Sequence, residues 1–295
     1  MKDWTQEVLQ LGRKAGRLRG MRSGLSGSHC RFIRVLAVCA WVGIAPAGWA
    51  EVPQKALAEF QSYAGKVEAR LAQQHRSAAG FVAEVEPGAM TRQQLSSGEL
   101  VIEKLTPGKG EVPGGLLHDW RGTAFVKGAT AKDFERLMKN FGAYAQMYSP
   151  QVVRAEIVSP KGASAPDHFT ATMRVKQKHV ITVVMDTTYG VTYGRLDARH
   201  GYSTSRSTKI TEIEDAGTAK EHALPPEKEH GFLWRLNTYW SYEERDGGLY
   251  IQVESISLTR GIPTGLGWVV GPFVESVPRE SLEFTLRNTG KALQR

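Results

Sequence analysis

The sequence has few cysteines and no long apolar run, and both shortages limit what the protein can be. Its only two cysteines, Cys30 and Cys39, lie within the first fifty residues. Residues 51–295 therefore cannot form an intramolecular disulfide, and they offer neither a thiol nucleophile nor a thiolate ligand for a metal. The most apolar stretch, residues 35–45, is shorter than the roughly 20 residues that a membrane-spanning helix needs. The 245 residues after position 50 are enough to bury a core of their own.

The first fifty residues differ in composition from the rest and predict a secretory signal peptide. Arg31 and Arg34 precede the apolar stretch, and Gly48 and Ala50 are small residues at the positions that a signal peptidase reads. We therefore expect cleavage after Ala50 and an exported protein, either periplasmic or secreted.

Two details of this predicted signal peptide leave alternatives for its start and for its processing. The basic stretch that opens it is long for a signal peptide, so Met21 is an alternative start. Lipid attachment at Cys39 is not favoured, because the bulky Val38 precedes it and apolar residues continue beyond it.

The excess of basic charge is also concentrated in the leader. The whole chain has 38 Lys+Arg and 30 Asp+Glu, and removing the eight basic and two acidic residues of the first fifty leaves 30 against 28. The exported part is thus nearly neutral. Nucleic-acid binding needs a concentrated basic surface, so the sequence does not favour it.

A strand, a hairpin and a helix follow one another from residue 230 to the end. Apolar side chains alternate along the strand, at Phe232, Trp234, Leu236, Trp240 and Tyr242. Asp246-Gly247-Gly248 predicts a tight turn, after which residues 249–258 return as the partner strand. The apolar positions of that strand change phase at Glu254, which predicts a β-bulge there. Leu282, Leu286 and Leu293 then mark one stripe of a closing helix.

The order of elements predicts the fold class. An amphipathic helix begins residues 51–115, which also hold one strand and a loop rich in glycine and proline. From residue 116 the pattern gives a strand, two short helices with Thr130 and Asp133 at the N-terminus of the first, about six strands and the closing helix. Sequential strands with segregated helices indicate an α+β fold with a curved antiparallel sheet of about seven strands.

At this point the chain resembles the START-like, or SRPBCC, superfamily of polyketide cyclases, aromatase/cyclases and lipid-transfer domains. The resemblance covers residues 116–293 and is carried by NFGAYAQMYSPQVVRAEIV, at 140–158, and by PRESLEFTLRNTGKAL, at 278–293. It implies a helix-grip fold, in which the sheet wraps around the C-terminal helix and leaves a hydrophobic cavity. Together with the predicted leader, it divides the chain into three regions: a signal peptide at 1–50, an extension at 51–115 and a ligand-binding domain at 116–295. The superfamily has no universal catalytic motif, so no catalytic residue is carried over.

Residues for metal, nucleophilic or nucleotide chemistry are not grouped in the sequence. The histidines after residue 50 are scattered without metal-ligand spacing, and Ser203 lacks the second glycine of a nucleophile elbow. The run GLGWVVG, at 265–271, has glycines at the wrong spacing for a dinucleotide fingerprint. We interpret it as a hinge and lid that brings Trp268 to the cavity mouth. No cofactor and no metal site is predicted.

The predicted ligand site consists of large or polar side chains expected to line the cavity. They are Met185, Tyr189, Tyr193, Arg206, Trp234, Leu236, Trp240, Glu254, Trp268, Leu282 and Leu286. Rings with polar tips suit a mostly apolar pocket with a few hydrogen-bonding groups, although the same rings also fill cores. Arg206 and Glu254 would form a polar anchor for a ligand head group if they point inward, and otherwise they are solvated or paired outside.

These observations predict an exported protein that binds a hydrophobic or lipid-like small molecule. A polyketide cyclase or dehydratase-like enzyme acting in the same cavity is the first alternative. The second is an interaction module that uses the helix at 54–75, whose apolar stripe could also contact a protein partner or a membrane surface. The sequence leaves the oligomeric state and the ligand open.

Overall fold

The structure is a computed structural model that describes residues 51–84, 89–159, 167–178, 182–261 and 267–294. Side chains are described throughout these ranges except at 89–91 and 267–275. The predicted signal peptide and the question of lipid attachment at Cys39 lie outside the described residues.

Helices and short strands dominate the first part of the described chain. Its elements are α1 Gln54–Gln74, α2 Ala89–Ser96, β1 Val101–Lys104, β2 Glu111–Val112, β3 Gly115–Lys127, α3 Ala131–Lys139 and α4 Tyr144–Met147. Long strands and one long helix make up the second part. Its elements are β4 Val152–Ser159, β5 His168–Lys178, β6 Thr182–Arg195, β7 His200–Glu214, β8 His222–Ala223, β9 Arg235–Arg245, β10 Gly248–Arg260 and α5 Gly267–Leu293.

All ten of these strands belong to one antiparallel sheet. Its order is β1-β3-β10-β9-β7-β6-β5-β4, with β2 paired to β3 and β8 paired to β7. Seven strands are long and the other three have two to four residues, so the predicted sheet of about seven strands and the α+β class are confirmed. The β9–β10 hairpin is also confirmed: Asp246 and Gly247 adopt φ of 57° and 73°, the left-handed values that a tight turn requires.

The start of α3 agrees with its sequence signal. The Thr130 hydroxyl accepts a hydrogen bond from the Asp133 amide, and the Asp133 carboxylate accepts one from the Thr130 amide. This reciprocal arrangement satisfies two amides that the first turn of a helix leaves unpaired.

One face of the sheet packs against α5, and we call it the α5 face. Gly122 allows the close approach of this helix, because a Cβ atom there would lie 2.5 Å from Leu286 Cδ1. The cluster between α5, the helices α3 and α4 and the sheet contains Ala124, Val126, Phe134, Phe141, Tyr144, Tyr148, Phe169, Tyr189, Tyr193, Trp240, Tyr242, Leu249, Ile251, Val253, Leu282 and Leu286, among others.

The opposite face, which we call the α1 face, is covered by the N-terminal helix. The apolar stripe of α1 packs there in a second cluster made of Ala56, Phe60, Ala64, Val67, Leu71, Leu117, Trp234, Tyr239, Ile256 and Leu258. The region 51–115 therefore contributes one helix to this face and the edge strand β1 to the sheet.

The predicted β-bulge at Glu254 is wrong. Strand β10 pairs without a register shift with β3 and with β9 along its whole length. The apolar phase changes because the strand is buried on both faces: Val253 contacts the cluster under α5, whereas Ile256 contacts the cluster under α1. A change of phase thus marks a change of the covering helix.

The interpretation of GLGWVVG as a hinge and lid is also wrong for its described part. The backbone is helical from Gly267 onward, so Trp268 lies in the first turn of α5. The side chain of Trp268 and residues 262–266 lie outside the description.

Candidate functional site

Tyrosines make up the most polar part of the cluster on the α5 face. The Tyr144 hydroxyl donates to the Met138 carbonyl oxygen at 2.6 Å, and the Tyr148 hydroxyl lies 2.8 Å from Thr289 Oγ1. Burial raises the pKa of Tyr148 and of Tyr189 to about 12. These hydroxyls are thus engaged within the protein, and burial moves the pKa of the phenols still further from the neutral range in which a general base works.

The α5 face is sealed in one part and open in another. Trp240 and Val253 are cross-strand partners, and both are almost fully buried beneath Leu282 and Leu286. Two residues further along β9 and β10, Thr238 and Ser255 are also partners, but both are only partly buried.

The same partial exposure extends to the neighbouring strands. Leu236 and Trp120 pack against the cluster while remaining partly exposed, and Ser205, the β7 partner of Thr238, is partly exposed as well. Partial exposure in the middle of a ten-stranded sheet, on the face that a helix covers, indicates space between the two layers.

The predicted ligand residues divide between the two faces. Tyr189, Tyr193, Leu236, Trp240, Leu282 and Leu286 all belong to the cluster on the α5 face. Met185 is buried and lies on the same face of β6 by strand alternation. Whether any of them contacts a ligand stays a prediction.

Trp234 was expected to face α5 and does not. The strand β9 begins at Arg235, so the alternation read from Trp240 back to Trp234 does not continue to that ring. Its ring packs on the α1 face with Ile256 and Leu258.

Arg206 and Glu254 do not form a polar anchor in the cavity. Arg206 is exposed, and its Nε donates to Glu68 Oε1 of α1 at 2.6 Å. Glu254 is buried on the α1 face, where Arg70 Nη2 donates to its Oε1 at 2.5 Å. Each residue is thus paired with the N-terminal helix. Alternation alone could not show this, because both faces of β10 are covered.

A second buried carboxylate lies beside Glu254 beneath α1. The Tyr63 hydroxyl donates to Asp119 Oδ2 at 2.8 Å, while Asp119 Oδ1 and Glu254 Oε2 have no hydrogen-bond partner among the described residues. Burial and then the negative charge of Glu254 raise the pKa of Asp119 to about 7. This pair was not singled out from the sequence, because Asp119 lies in an ordinary strand pattern.

A serine–histidine pair also lies on the α1 face. The distance between His75 Nε2 and Ser241 Oγ is 2.8 Å, and the imidazole stacks on Tyr202 with ring centroids 4.5 Å apart. Burial lowers the pKa of His75 to about 4. Ser241 is almost fully buried in the middle of β9, so the pair joins the end of α1 to the sheet and gives a substrate no access to the hydroxyl.

Two searches of the described residues found nothing. No group of three or more histidine, cysteine or carboxylate side chains there could hold a metal ion. In the same part of the chain no helix is both long enough and apolar enough to cross a membrane.

The order of the elements defines the architecture. After the first long strand come the paired short helices α3 and α4, then six long antiparallel strands, and finally α5, which packs back on β3 and β10. An antiparallel sheet that packs against its C-terminal helix in this way is a helix-grip arrangement, as the resemblance of residues 140–158 and 278–293 implied. Membership of the superfamily stays a prediction.

Solved structures that are similar to this chain include three bacterial proteins. A START superfamily protein from Mycobacterium smegmatis is 14% identical, covering 60% of this chain and 97% of its own, with a TM-score of 0.40. A STAR-related lipid transfer protein from Xanthomonas axonopodis is 19% identical, covering 66% and 99%, with a TM-score of 0.39. The Zhui aromatase/cyclase from Streptomyces sp. R1128 is 15% identical, covering 61% and 94%, with a TM-score of 0.39. No protein-family model and no curated protein matches the chain.

Proposed function

We propose that the chain is an exported protein that binds a hydrophobic or amphipathic small molecule in the helix grip, between the α5 face and α5. The observation that supports this most is the partial exposure of Trp120, Leu236, Thr238 and Ser255 in the middle of a covered sheet. A core that served stability alone would close over these positions, as it closes over Trp240 and Val253.

The chemistry of the lining favours binding over catalysis. The described tyrosines of the α5 face are held protonated by burial, as at Tyr148 and Tyr189. General base catalysis near neutral pH needs a group whose pKa lies near 7, and these phenols are far from it. Rings with polar tips instead provide apolar contact together with oriented donors.

Native mass spectrometry of the exported protein, purified without detergent, tests the proposal. We expect a fraction of the protein to carry a lipophilic small molecule that organic solvent removes. Incubation of the emptied protein with the recovered molecule should restore the complex and leave the molecule chemically unchanged. Conversion of the molecule would favour a cyclase or dehydratase-like enzyme, and an empty protein that takes up no lipophilic probe would overturn the binding function.

Two tryptophans provide matched variants for this experiment, because they lie on opposite faces of the sheet. Trp120→Phe alters the open part of the α5 face and should weaken rebinding about three- to tenfold, which corresponds to roughly 1 kcal/mol. Trp234→Phe alters the α1 face and should leave rebinding unchanged. Equal effects of the two substitutions would place the ligand elsewhere.

A further inference from the structure

The open part of the α5 face carries a row of small hydroxyl side chains, which we call the hydroxyl strip. It consists of Ser205, Thr238 and Ser255, all partly buried, and is flanked on the same face by the buried Ser203 and Ser257. Ser205, Thr238 and Ser255 are consecutive cross-strand partners on β7, β9 and β10, and Trp120 on β3 continues this row. From β3 to β7 the row crosses three intervals between strands, or about 14 Å.

The end of this row holds a donor without a partner. Trp120 Nε1 is buried and makes no hydrogen bond to any of the described residues. The indole lies on the α5 face, because the ring packs against the cluster there and Gly122, two residues on, meets Leu286. A buried donor left unpaired is unfavourable, so a ligand oxygen that accepts a hydrogen bond from this nitrogen would bind more tightly.

The four central strands place their positive charges on the other face. By strand alternation and pairing, every lysine and arginine of β3, β7, β9 and β10 lies on the α1 face: Arg121, Lys127, Arg206, Lys209, Arg235, Arg245 and Arg260. The strip therefore offers neutral hydrogen-bonding groups without a lysine or arginine from these strands. A carboxylate or phosphate placed there would lose its hydration without gaining a cation from them.

We infer that the helix grip selects a neutral lipophilic molecule with hydroxyl or carbonyl oxygens along one edge, and discriminates against an anionic amphiphile of the same size. This inference rests on the proposed function. The hydroxyls of the strip both donate and accept, so they suit ligand hydroxyls and carbonyls alike, while Trp120 can only donate. A ligand that lacks oxygen altogether would leave Trp120 Nε1 unpaired.

Two series of probes that share an apolar body test the inference. The first compares monopalmitoylglycerol, palmitate and hexadecane, and the second compares dihydroxyanthraquinone, anthracene carboxylate and anthracene. In each series that binds, we expect the dissociation constant of the neutral, oxygen-bearing member to be at least about tenfold lower than that of the other two, a difference of about 1.4 kcal/mol.

Two isosteric substitutions test whether the hydroxyl strip causes that preference. Thr238→Val removes one hydroxyl from the α5 face and should weaken the neutral, oxygen-bearing probe about fivefold, which corresponds to one net hydrogen bond, while leaving the oxygen-free probe unchanged. Thr204→Val removes a hydroxyl from the opposite face of β7, where Thr204 pairs with Tyr239, and should change neither affinity.

The outcomes separate the inference from the proposed function. Tighter binding of the carboxylate or of the hydrocarbon, or a preference that survives Thr238→Val unchanged, would overturn the inference and leave the binding function intact. Failure of all six probes to bind would overturn both. Circular dichroism and thermal unfolding of each variant show whether a loss of affinity comes from a loss of folding.

Discussion

The two faces of the central strands are both covered by a helix, but the coverings differ in chemistry. Between α1 and the sheet the contacts include charged groups: Arg70 meets Glu254, Arg206 meets Glu68, and Tyr63 meets Asp119. Beneath α5 the same strands present aromatic rings and small hydroxyls, and part of that layer is accessible to solvent.

This difference shows what each face is suited to. Charged partners at fixed positions determine the register of a docked helix, so the α1 face specifies one arrangement of the N-terminal segment. Neutral groups beside an open space accept a guest of suitable shape, so the α5 face is the one suited to a ligand. The presence of buried polar groups does not by itself distinguish the two faces, because both faces have them.

The largest expected effect concerns the anchoring of α1. Phe60 is buried on the α1 face at 3% exposure, and Phe60→Ala should lower the free energy of unfolding by about 3–5 kcal/mol, because it leaves a cavity beneath the helix. Urea unfolding followed by circular dichroism measures this. The exposed Lys66 on the same helix supplies the control, since Lys66→Ala should stay within about 0.5 kcal/mol. Equal effects of the two substitutions would mean that α1 is not part of the cooperative core.

The next effect concerns the buried carboxylates beneath α1. The folded state raises the pKa of Asp119 to about 7, chiefly by burial and then through Glu254, while Tyr63, Arg70 and Arg121 act in the opposite direction. The folded protein thus keeps a proton that the unfolded chain loses above its pKa of about 4. The contribution of this group to stability therefore falls as the pH rises from about 4 to 7.

Asp119→Asn should remove that contribution. The amide oxygen can still accept from Tyr63, but the side chain carries no charge at any pH. We expect the stability of the variant relative to the wild type to rise between about pH 4 and about pH 8, as measured by urea unfolding at both values. Taking the difference between the two proteins also cancels the opposite contribution of His75, whose pKa is lowered to about 4. A difference that does not change with pH would contradict the assignment.

The smallest effect should come from Arg206. Its side chain is exposed and pairs with Glu68, and exposed ion pairs contribute about 0–1 kcal/mol. Arg206→Met should therefore change the free energy of unfolding by less than about 1 kcal/mol and should not alter the affinity for any lipophilic probe. Isothermal titration calorimetry measures the affinity. A clear loss of affinity would mean that Arg206 belongs to the ligand site and that ligand binding is not confined to the α5 face.

Several features of the fold could be predicted from the sequence because they rest on local physics. Alternation along Leu236, Trp240 and Tyr242 specified a strand, Asp246-Gly247 specified its turn, and Thr130 with Asp133 specified a helix start. Each of these signals depends on neighbours within a few positions, so tertiary contacts did not overrule them.

The ligand site could be predicted only in part. Strand alternation assigns residues to the two faces of the sheet, but it does not show which helix covers each face. For Trp240 and Tyr189 the nearer helix was inferred correctly, since α5 covers their face. For Glu254 and Arg206 the inference failed, because their partners lie on a helix 184 and 138 positions earlier in the chain. The open row at Thr238 and Ser255 was also missed. Small hydroxyl residues in strands are common, and only the burial of their neighbours shows that these are accessible.

The pairing of Arg70 with Glu254 also has a consequence for the order in which the chain acquires its structure. The two residues are 184 positions apart, so α1 docks on a strand that is synthesised much later. Until β10 has emerged, the apolar stripe of α1 lacks the surface that Ile256 and Leu258 provide. Contacts of such long range slow folding and lengthen the exposure of apolar surface to aggregation. The α1 face can therefore be completed only after β10 has been synthesised.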